Sequence, residues 1–219
     1  MPQWGLLFPS GEDIVNHPEN EEAVHLAASI RFVRPDDAEA LAAIYAPYVE
    51  HTAITFEYDP PTPEEFRRRM EAIQRRYPYL AAEEDGVILG YCYAAPYKGR
   101  AAYDWAAETS IYVRRDIHRQ GLGKRLYAVL EDLLRAQGIR DMLACIALPE
   151  PEDEFLTLDS IRFHTAMGFR EIARFQNIGN KFGRWYHMVW MDKVLGAHDP
   201  DPKPILPVSA LGYGPGRVF

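Results

Sequence analysis

The sequence predicts an α+β protein: a three-layer α/β/α sandwich in which a mixed, mostly antiparallel sheet is flanked by helices. Two strand-like runs joined by a tight turn predict antiparallel pairing in the first half of the chain. A strand, helix, strand order in the second half predicts a crossover connection. Hydrophobic residues make up 47% and charged residues 26% of the 219 residues, which is typical of a globular protein with a sizeable core.

The domain is predicted to begin with one strand and two helices. The strand is indicated by Ile30, Phe32 and, less cleanly, Val33. Apolar residues at helical spacing predict the first helix, and these are Leu41, Ile44, Tyr45, Tyr48 and Val49. The second helix is predicted to start at Thr62, with Pro63 at its first position and Glu65 closing a capping box. Its apolar stripe consists of Phe66, Met70, Ile73 and Tyr77.

Strands and helices are predicted to alternate through the rest of the domain. The runs YLAAEE and VILGYCYAAP read as two strands joined at Asp85–Gly86, a dipeptide that tolerates the positive φ angles of a hairpin turn. Residues 108–113 predict a third strand, and a helix follows over 122–137. The elements after it are a buried strand in the run MLACIAL, a short helix at about 160–167 and strands at about 171–178 and 184–192.

The two ends of the chain differ in composition from the domain. Pro, Gly and acidic residues without periodicity mark an N-terminal arm over residues 1–28 and a tail over 196–219. Regular structure is not expected in the tail. Two alternatives stay open for it: it wraps the domain or a partner subunit through Ile205, Leu206 and Leu211, or it is disordered.

Charge and cysteine content narrow the partners and the compartment. The formal net charge of -8 disfavours nucleic acid and anionic membranes as partners. No run of about 18 apolar residues could span a bilayer, and no secretory signal is visible, so a cytoplasmic protein is expected. Cys92 and Cys145 fit buried thiols in a reducing compartment. The seven histidines show no metal-ligand spacing, so no metal is expected.

The segment RRDIHRQGLGKRLY has the features of a phosphate-binding turn. Two closely spaced glycines before a helix expose free backbone N–H groups, and the helix dipole adds positive charge there. Arg119, Lys124 and Arg125 add charged side chains. A P-loop is excluded because Arg125 follows Lys124, and a dinucleotide fingerprint because residue 126 is Leu. The alternative is a strand-to-helix turn whose glycines serve only backbone geometry.

This turn resembles the acetyl-CoA loop of the GCN5-related N-acetyltransferases (GNAT), Gln/Arg-x-x-Gly-x-Gly/Ala. Residues 118–123 match it except at His118, which replaces Gln or Arg. The resemblance covers about residues 29–195 and narrows to the phosphinothricin acetyltransferase-like branch. The segments that carry it, in this order, are APYKGRAAYDWAAETSIYV, LYAVLEDLLRAQGIRDMLACIALP and HTAMGF. It implies a GNAT fold and acetyl-CoA as co-substrate.

The resemblance also implies which residues contact acetyl-CoA. They are Ile111, Tyr112, Val113, His118, Arg119, Gln120, Gly121, Leu122, Gly123, Lys124, Asp159 and Ser160. Asp159 departs from the family, in which an Asn commonly contacts the pantetheine, and Ser160 is the residue that would compensate. The family further implies a homodimer as a possible assembly.

Two catalytic residues and four substrate-binding residues are expected from the same comparison. Glu108 is the candidate base that takes a proton from the amine, with an exposed strand carboxylate as the alternative. His164 stands where most of the superfamily carries Tyr, beside the expected thiol, and would steady or protonate the leaving thiolate; a structural histidine is the alternative. The candidates for the acceptor pocket are Phe56, Lys98, Arg100 and Tyr103. The alternatives are that the two basic residues are solvated loop charges and that the two aromatic residues belong to the core.

Two further segments are expected to lie near the acceptor pocket or at a subunit interface. The acidic insertion EPEDEFLTLD after Pro149 is longer than in the family and lies toward the acceptor, so it is expected to affect substrate choice. The segment IGNKFGRWYHMVWMDK carries large side chains on both faces, which predicts a strand buried on both sides, at a subunit interface or against the acceptor pocket.

The expected activity is transfer of acetyl from acetyl-CoA to the amino group of a small amino acid or an analogue such as phosphinothricin or methionine sulfoximine. Direct transfer in a ternary complex is expected, because neither cysteine lies in a motif for a covalent intermediate. Two alternatives remain at this point. One is a non-catalytic acyl-CoA-binding module, and the other is an acetyltransferase for a polyamine or a protein N-terminus.

Overall fold

A computed structural model describes residues 27–117, 120–213 and 217–219. The predicted N-terminal arm therefore lies outside the described residues, except for Ala27 and Ala28. The strands are β1 (Ser29–Phe32), β2 (Tyr79–Glu84), β3 (Val87–Pro96), β4 (Ala106–Val113), β5 (Asp141–Leu148), β6 (Arg170–Lys181) and β7 (Arg184–Val194). The helices are α1 (Ala38–His51), α2 (Pro63–Gln74), α3 (Leu122–Gln137) and α4 (Asp159–Ala166).

The strands form one mixed sheet in the order β1-β2-β3-β4-β5-β7-β6. Every neighbouring pair is antiparallel except β4 and β5, which α3 connects as a parallel pair. That pairing covers only Ala106–Glu108 against Asp141–Leu143, although both strands continue beyond it. The two strands therefore part after Glu108 and leave a gap in the middle of the sheet.

Helices cover both faces of the sheet and give the predicted three layers. On one face α3 packs its apolar stripe, including Leu126, Leu130 and Leu134, on inward-facing strand residues such as Leu80. On the other face α1 and α2 pack against the strand residues whose side chains point the opposite way, such as Ala81. Because side chains alternate along a strand, the sheet contributes to both cores. The predicted fold class is confirmed.

Local sequence signals account for most element boundaries. Asp85 and Gly86 adopt φ angles of 49° and 80°, as the tight turn between β2 and β3 requires. The Thr62 hydroxyl accepts the Glu65 N–H at 3.2 Å and caps α2. The predicted capping box is only half formed, because the Glu65 carboxylate is paired with Arg69, one turn further along α2, at 2.9 Å.

The tail packs on the domain along α3 and the β1 edge. Ile205 and Val208 are buried in the core under α3, whereas Leu206 is exposed and Leu211 packs only partly. The Gln137 amide donates to the carbonyls of Arg76 and Leu206, both at 2.7 Å. Of the two alternatives for the tail, wrapping of the domain is the one observed for residues 196–213 and 217–219.

Two burial predictions are wrong. Cys145 is exposed, because its side of β5 faces the gap between β4 and β5. The last strand is not buried on both faces along its whole length: Val189 and Met191 lie in the core, but Trp185 is 64% exposed. This end of β7 pairs with β6, an edge strand that is itself largely exposed, so no element covers it. No helix among the described residues is long and apolar enough to cross a membrane.

Candidate active site

The gap between β4 and β5 opens into two cavities. The larger has a volume of about 710 Å³ and extends from the gap to the start of α3. The smaller, of about 60 Å³, lies deeper between the two strands, against Tyr127 of α3 and His164 of α4. Ile54, in the loop after α1, lines both. The site is therefore a groove that leads into the sheet at the point where two parallel strands separate.

The first turn of α3 forms one end of the groove. Gly121 adopts φ 73° as the residue before the helix, a conformation that favours glycine. At Gly123 a Cβ atom would lie 3.2 Å from the Phe163 ring and 3.4 Å from the Ile111 side chain, so a glycine allows α3 to approach α4 and β4 closely. The first N–H groups of an α-helix have no intrahelical acceptor, and here they face an open cavity. This is the geometry of an anion site.

Most of the predicted cofactor residues come together in this groove. Those that line it are Ile111, Val113, Gln120, Gly121, Leu122, Gly123, Lys124, Asp159 and Ser160. Tyr112 instead points to the opposite face, where its ring packs against Tyr45 and Tyr48 at 4.9 and 5.2 Å. Only the backbone of Tyr112 is available to the groove. His118 and Arg119 lie outside the described residues, and Arg125 donates to the carbonyl of Ala28.

Asp159 does not present an isolated negative charge to the groove. Its carboxylate accepts from the Thr157 hydroxyl at 3.0 Å and from Arg162 at 3.3 Å. A paired carboxylate repels an anionic or polar ligand less than a free one does. The replacement of the family's Asn by Asp159 is therefore accompanied by a local counter-charge.

Glu108 is the last residue of β4 that pairs with β5, so its carboxylate lies where the gap begins. Burial raises the pKa of this carboxyl above its ordinary value, and the nearby Lys98 ammonium opposes the shift. A carboxylate whose pKa is raised is a stronger base than an exposed one. It is thus suited to accept a proton.

His164 is buried and bonded at both ring nitrogens. Nδ1 lies 2.7 Å from the carbonyl of Ser160, which can only accept, so Nδ1 carries a proton. Burial lowers the pKa of His164, which leaves the imidazole neutral and its Nε2 an acceptor. Nε2 lies 3.1 Å from the Tyr127 hydroxyl, which also lies 3.3 Å from the Thr109 hydroxyl, so its single proton can go to either acceptor. The pair links α4 to α3 beside the small cavity.

Of the four predicted substrate residues, Lys98 is the one that lies close to Glu108. The Lys98 ammonium is 4.8 Å from the Tyr97 ring and 5.8 Å from the Trp190 ring. Tyr103 packs edge-on against Tyr97 at 5.6 Å. Arg100 is exposed, and no ion pair holds it among the described residues. The structure thus groups Lys98 with Tyr103 through Tyr97, and the Phe56 ring packs against Tyr186 at 6.4 Å.

Comparison with known proteins gives one consistent family. A model described as an acetyltransferase (GNAT) domain matches residues 30–190. The chain belongs to the GNAT acetyltransferase family. It is 35% identical, over 182 residues, to the phosphinothricin N-acetyltransferase of Streptomyces viridochromogenes, covering 82% of this chain and 95% of that protein.

Other GNAT proteins are similar to this chain in sequence and in structure. The chain is 32% identical to the L-methionine sulfoximine/L-methionine sulfone acetyltransferase of Salmonella typhimurium, covering 78% of this chain and 96% of that protein. A crystal structure of the phosphinothricin acetyltransferase of Sinorhizobium meliloti in complex with AcCoA matches with a TM-score of 0.73 and 31% identity, covering 80% of this chain and 93% of that one. The predicted family, enzyme class and co-substrate are confirmed: this GNAT chain is an acetyl-CoA-dependent N-acetyltransferase.

Several residues of this GNAT site were not predicted from the sequence. Tyr127, Ile54, Cys145 and Trp190 line the cavities or the Glu108 side of the gap. Cys145 and Trp190 are partners in the β5–β7 register, a pairing that no local pattern reveals. Tyr127 could have been noticed as a polar residue within the apolar stripe of α3. Among the described residues, no three His, Cys, Asp or Glu side chains cluster as a metal site.

Proposed function

We propose that this GNAT enzyme acetylates the α-amino group of a small amino acid or amino-acid analogue of the phosphinothricin or methionine sulfoximine type. The observation that carries the proposal is Glu108, a half-buried carboxylate with a raised pKa where β4 and β5 begin to separate, with Lys98 nearby. The relatives named above act on acceptors of this type. An amino acid offers a carboxylate for Lys98 and Arg100 and an amine for Glu108.

Acetyl-CoA binding is assigned to the groove. Its pyrophosphate would lie at the first turn of α3, held by the backbone N–H groups of residues 121–124 and by the Lys124 ammonium. The backbone of Ile111, Tyr112 and Val113 at the open edge of β4 would hold the pantetheine, with Asp159 and Ser160 on the opposite wall. The cavity of about 710 Å³ supports this assignment, because these residues line one continuous space.

Glu108 would start the reaction by taking a proton from the acceptor's ammonium group. The neutral amine then attacks the thioester carbonyl carbon, forming a C–N bond and a tetrahedral intermediate. The intermediate collapses when the C–S bond breaks: the sulfur leaves as a thiolate, the amide nitrogen loses its second proton, and the thiolate takes up that proton to give the CoA thiol. His164 would act on this side by holding the Tyr127 hydroxyl at the wall of the small cavity, where the thiolate forms.

Direct transfer is favoured over a covalent acetyl-enzyme. Cys145 lies in the gap, but desolvation of its thiol and the nearby Glu108 carboxylate raise the pKa of Cys145 to about 12. A thiol with such a pKa is protonated near neutral pH and is a poor nucleophile. The other cysteine, Cys92, is buried in the core under α3.

A polyamine acceptor receives no support from the acidic insertion. Asp153 and Glu154 both pair with Arg184, at 2.9 and 2.8 Å. Glu152 pairs with Arg162 at 3.3 Å. Arg184 is shared by two carboxylates, and Arg162 is shared by Glu152 and Asp159, so the pairing reduces, without cancelling, the negative potential that would attract a polycation. The insertion therefore acts as a folded part of the domain.

The experiment that tests the proposed function is release of CoA thiol from acetyl-CoA with a panel of acceptors. The panel comprises phosphinothricin, methionine sulfoximine, common amino acids, spermidine and short peptides. We expect turnover with amino acids or their analogues, and the highest kcat/KM with one of them. Turnover confined to spermidine or peptides would contradict the proposal.

We also propose that two copies of the chain form a homodimer in the cytoplasm. The dimer is supported by exposed apolar side chains along the β6–β7 edge, namely Ile172, Phe175, Ile178 and Trp185. The location is supported by the two cysteines, which are both free thiols.

A further inference from the structure

The hairpin between β6 and β7 carries a lysine that the reaction does not use. Lys181, the last residue of β6, is only 2% exposed. Its ammonium donates to the carbonyl of Val49 at 2.7 Å and to that of Thr55 at 2.8 Å. Burying a charged group is costly unless it is well hydrogen-bonded. A lysine held in this way, with backbone carbonyls as acceptors, fixes the backbone that provides them.

The two carbonyls belong to segments that meet at the active site. Val49 lies in the last turn of α1, where carbonyls lack intrahelical partners and a cation is favourable. Thr55 lies in the loop of residues 52–58, which we call the acceptor loop. This loop carries Ile54, which lines both cavities of the gap, and Phe56, a predicted residue of the acceptor pocket.

Two further contacts join the same hairpin to the acceptor loop. The Tyr58 hydroxyl donates to the carbonyl of Asn180 at 2.6 Å. The Phe56 ring lies on the backbone of Gly179, so closely that a Cβ atom at this position would overlap the ring. The φ angle of Gly179 is not positive, so the backbone conformation does not require a glycine at this position. Its role is to make room for Phe56.

We infer that Lys181 and Gly179 are positioning residues for acceptor binding: the β6–β7 hairpin holds the acceptor loop so that Phe56 forms a wall of the acceptor pocket. The inference rests on the proposed function, since it assigns Phe56 to that pocket. Neither residue touches the groove assigned to acetyl-CoA. Their loss should therefore affect the acceptor and spare the co-substrate.

A double-mutant cycle tests the contact between Gly179 and Phe56. In the otherwise unchanged enzyme, Gly179→Ala should raise the KM of the best acceptor about tenfold, because small displacements of a binding wall have large effects. The KM of acetyl-CoA should stay within about twofold. In a Phe56→Ala background the same Gly179→Ala change should have no further effect, since the ring that it displaces is gone. An equal effect of Gly179→Ala in both backgrounds would overturn the inference.

A second comparison tests Lys181. Lys181→Met should raise the acceptor KM and accelerate hydrogen exchange of the amides in residues 52–58. The matched control is Lys193→Met, which breaks a pair with Glu131 at the other end of β7 and should change neither quantity. Unchanged exchange and unchanged KM in Lys181→Met would contradict the inference. If Lys181→Met fails to fold, the cycle at Gly179 decides alone.

The two proposals fail in different ways. A wild-type enzyme that releases thiol with no amino acid or analogue contradicts the proposed function, and the exchange measurement still reports on the hairpin. A wild-type enzyme that accepts an amino acid, with variants whose acceptor KM is unchanged, contradicts only the role of the hairpin.

Discussion

His164 shows how burial decides the chemistry of one residue. The sequence places it beside the thiol and leaves its role open between proton donor and structural histidine. In the structure both ring nitrogens are occupied, by the Ser160 carbonyl and the Tyr127 hydroxyl. A neutral histidine with no free N–H cannot itself donate to a thiolate unless this arrangement changes. We therefore propose that its contribution is to orient Tyr127.

The lowered pKa of His164 makes stability depend on pH. Because the folded-state pKa lies below the ordinary value of about 6.5, the unfolded chain binds more protons between the two values. The free energy of unfolding should therefore fall as the pH drops below about 6.5. His164→Gln removes the titrating group, so the difference in unfolding free energy between wild type and variant should shrink or reverse from about pH 8 to about pH 5. If urea denaturation gives a constant difference in unfolding free energy between wild type and His164→Gln over this pH range, the low pKa is contradicted.

The positions of Glu108, Gly121 and Gly123 along the gap and the first turn of α3 could be predicted, because the strand-turn-helix motif and the family resemblance both concern neighbouring residues; their roles stay predictions. Cys145 and Trp190 could not be predicted, because strand register brings them together from distant parts of the chain. Tyr112 shows the same limit in another way. Its position in the motif is next to the groove, but the alternation of side chains along β4 directs its ring to the α1 face.

At the scale of elements, local signals were reliable wherever the partner lies within one turn or one hairpin. The Asp85–Gly86 turn and the boundaries of α3 were predicted correctly. The capping box predicted at Thr62 is only half formed, because the Glu65 carboxylate pairs with arginines on the next turn of α2 and not with the Thr62 backbone N–H. Here a side-chain ion pair replaces a backbone contact that the sequence motif predicts.

The gap between β4 and β5 is the element-scale feature that matters most for function, and no pattern in either strand reveals it. It arises because three residue pairs hold the strands together and the next residues separate. The packing of the tail could likewise not be decided from its composition. Regular structure was not expected there, but the tail contains one short 3₁₀ helix, Val208–Leu211, and Ile205 and Val208 bury their side chains under α3.

At the scale of the whole molecule, exposed apolar side chains on β6 and β7 stand out on a chain with a formal net charge of -8. The proposed dimer predicts twice the mass of one chain in light scattering at micromolar concentration. Trp185→Asp, which places a charge in this surface at its most exposed apolar residue, should shift the mass toward that of one chain. A single-chain mass for the wild type would contradict the dimer.

The proposed mechanism depends on Glu108 as the base. The most direct test is the pH profile of kcat/KM for Glu108→Gln with the best acceptor, compared with wild type and with Glu64→Gln as a control on an exposed carboxylate. We predict a loss of about 10²–10⁴-fold near neutral pH. In the wild type and the control we expect activity to fall at acidic pH with a midpoint above the ordinary carboxyl value of 4.5, because burial raises the pKa of Glu108. Full kcat/KM in Glu108→Gln across the pH range would contradict the mechanism.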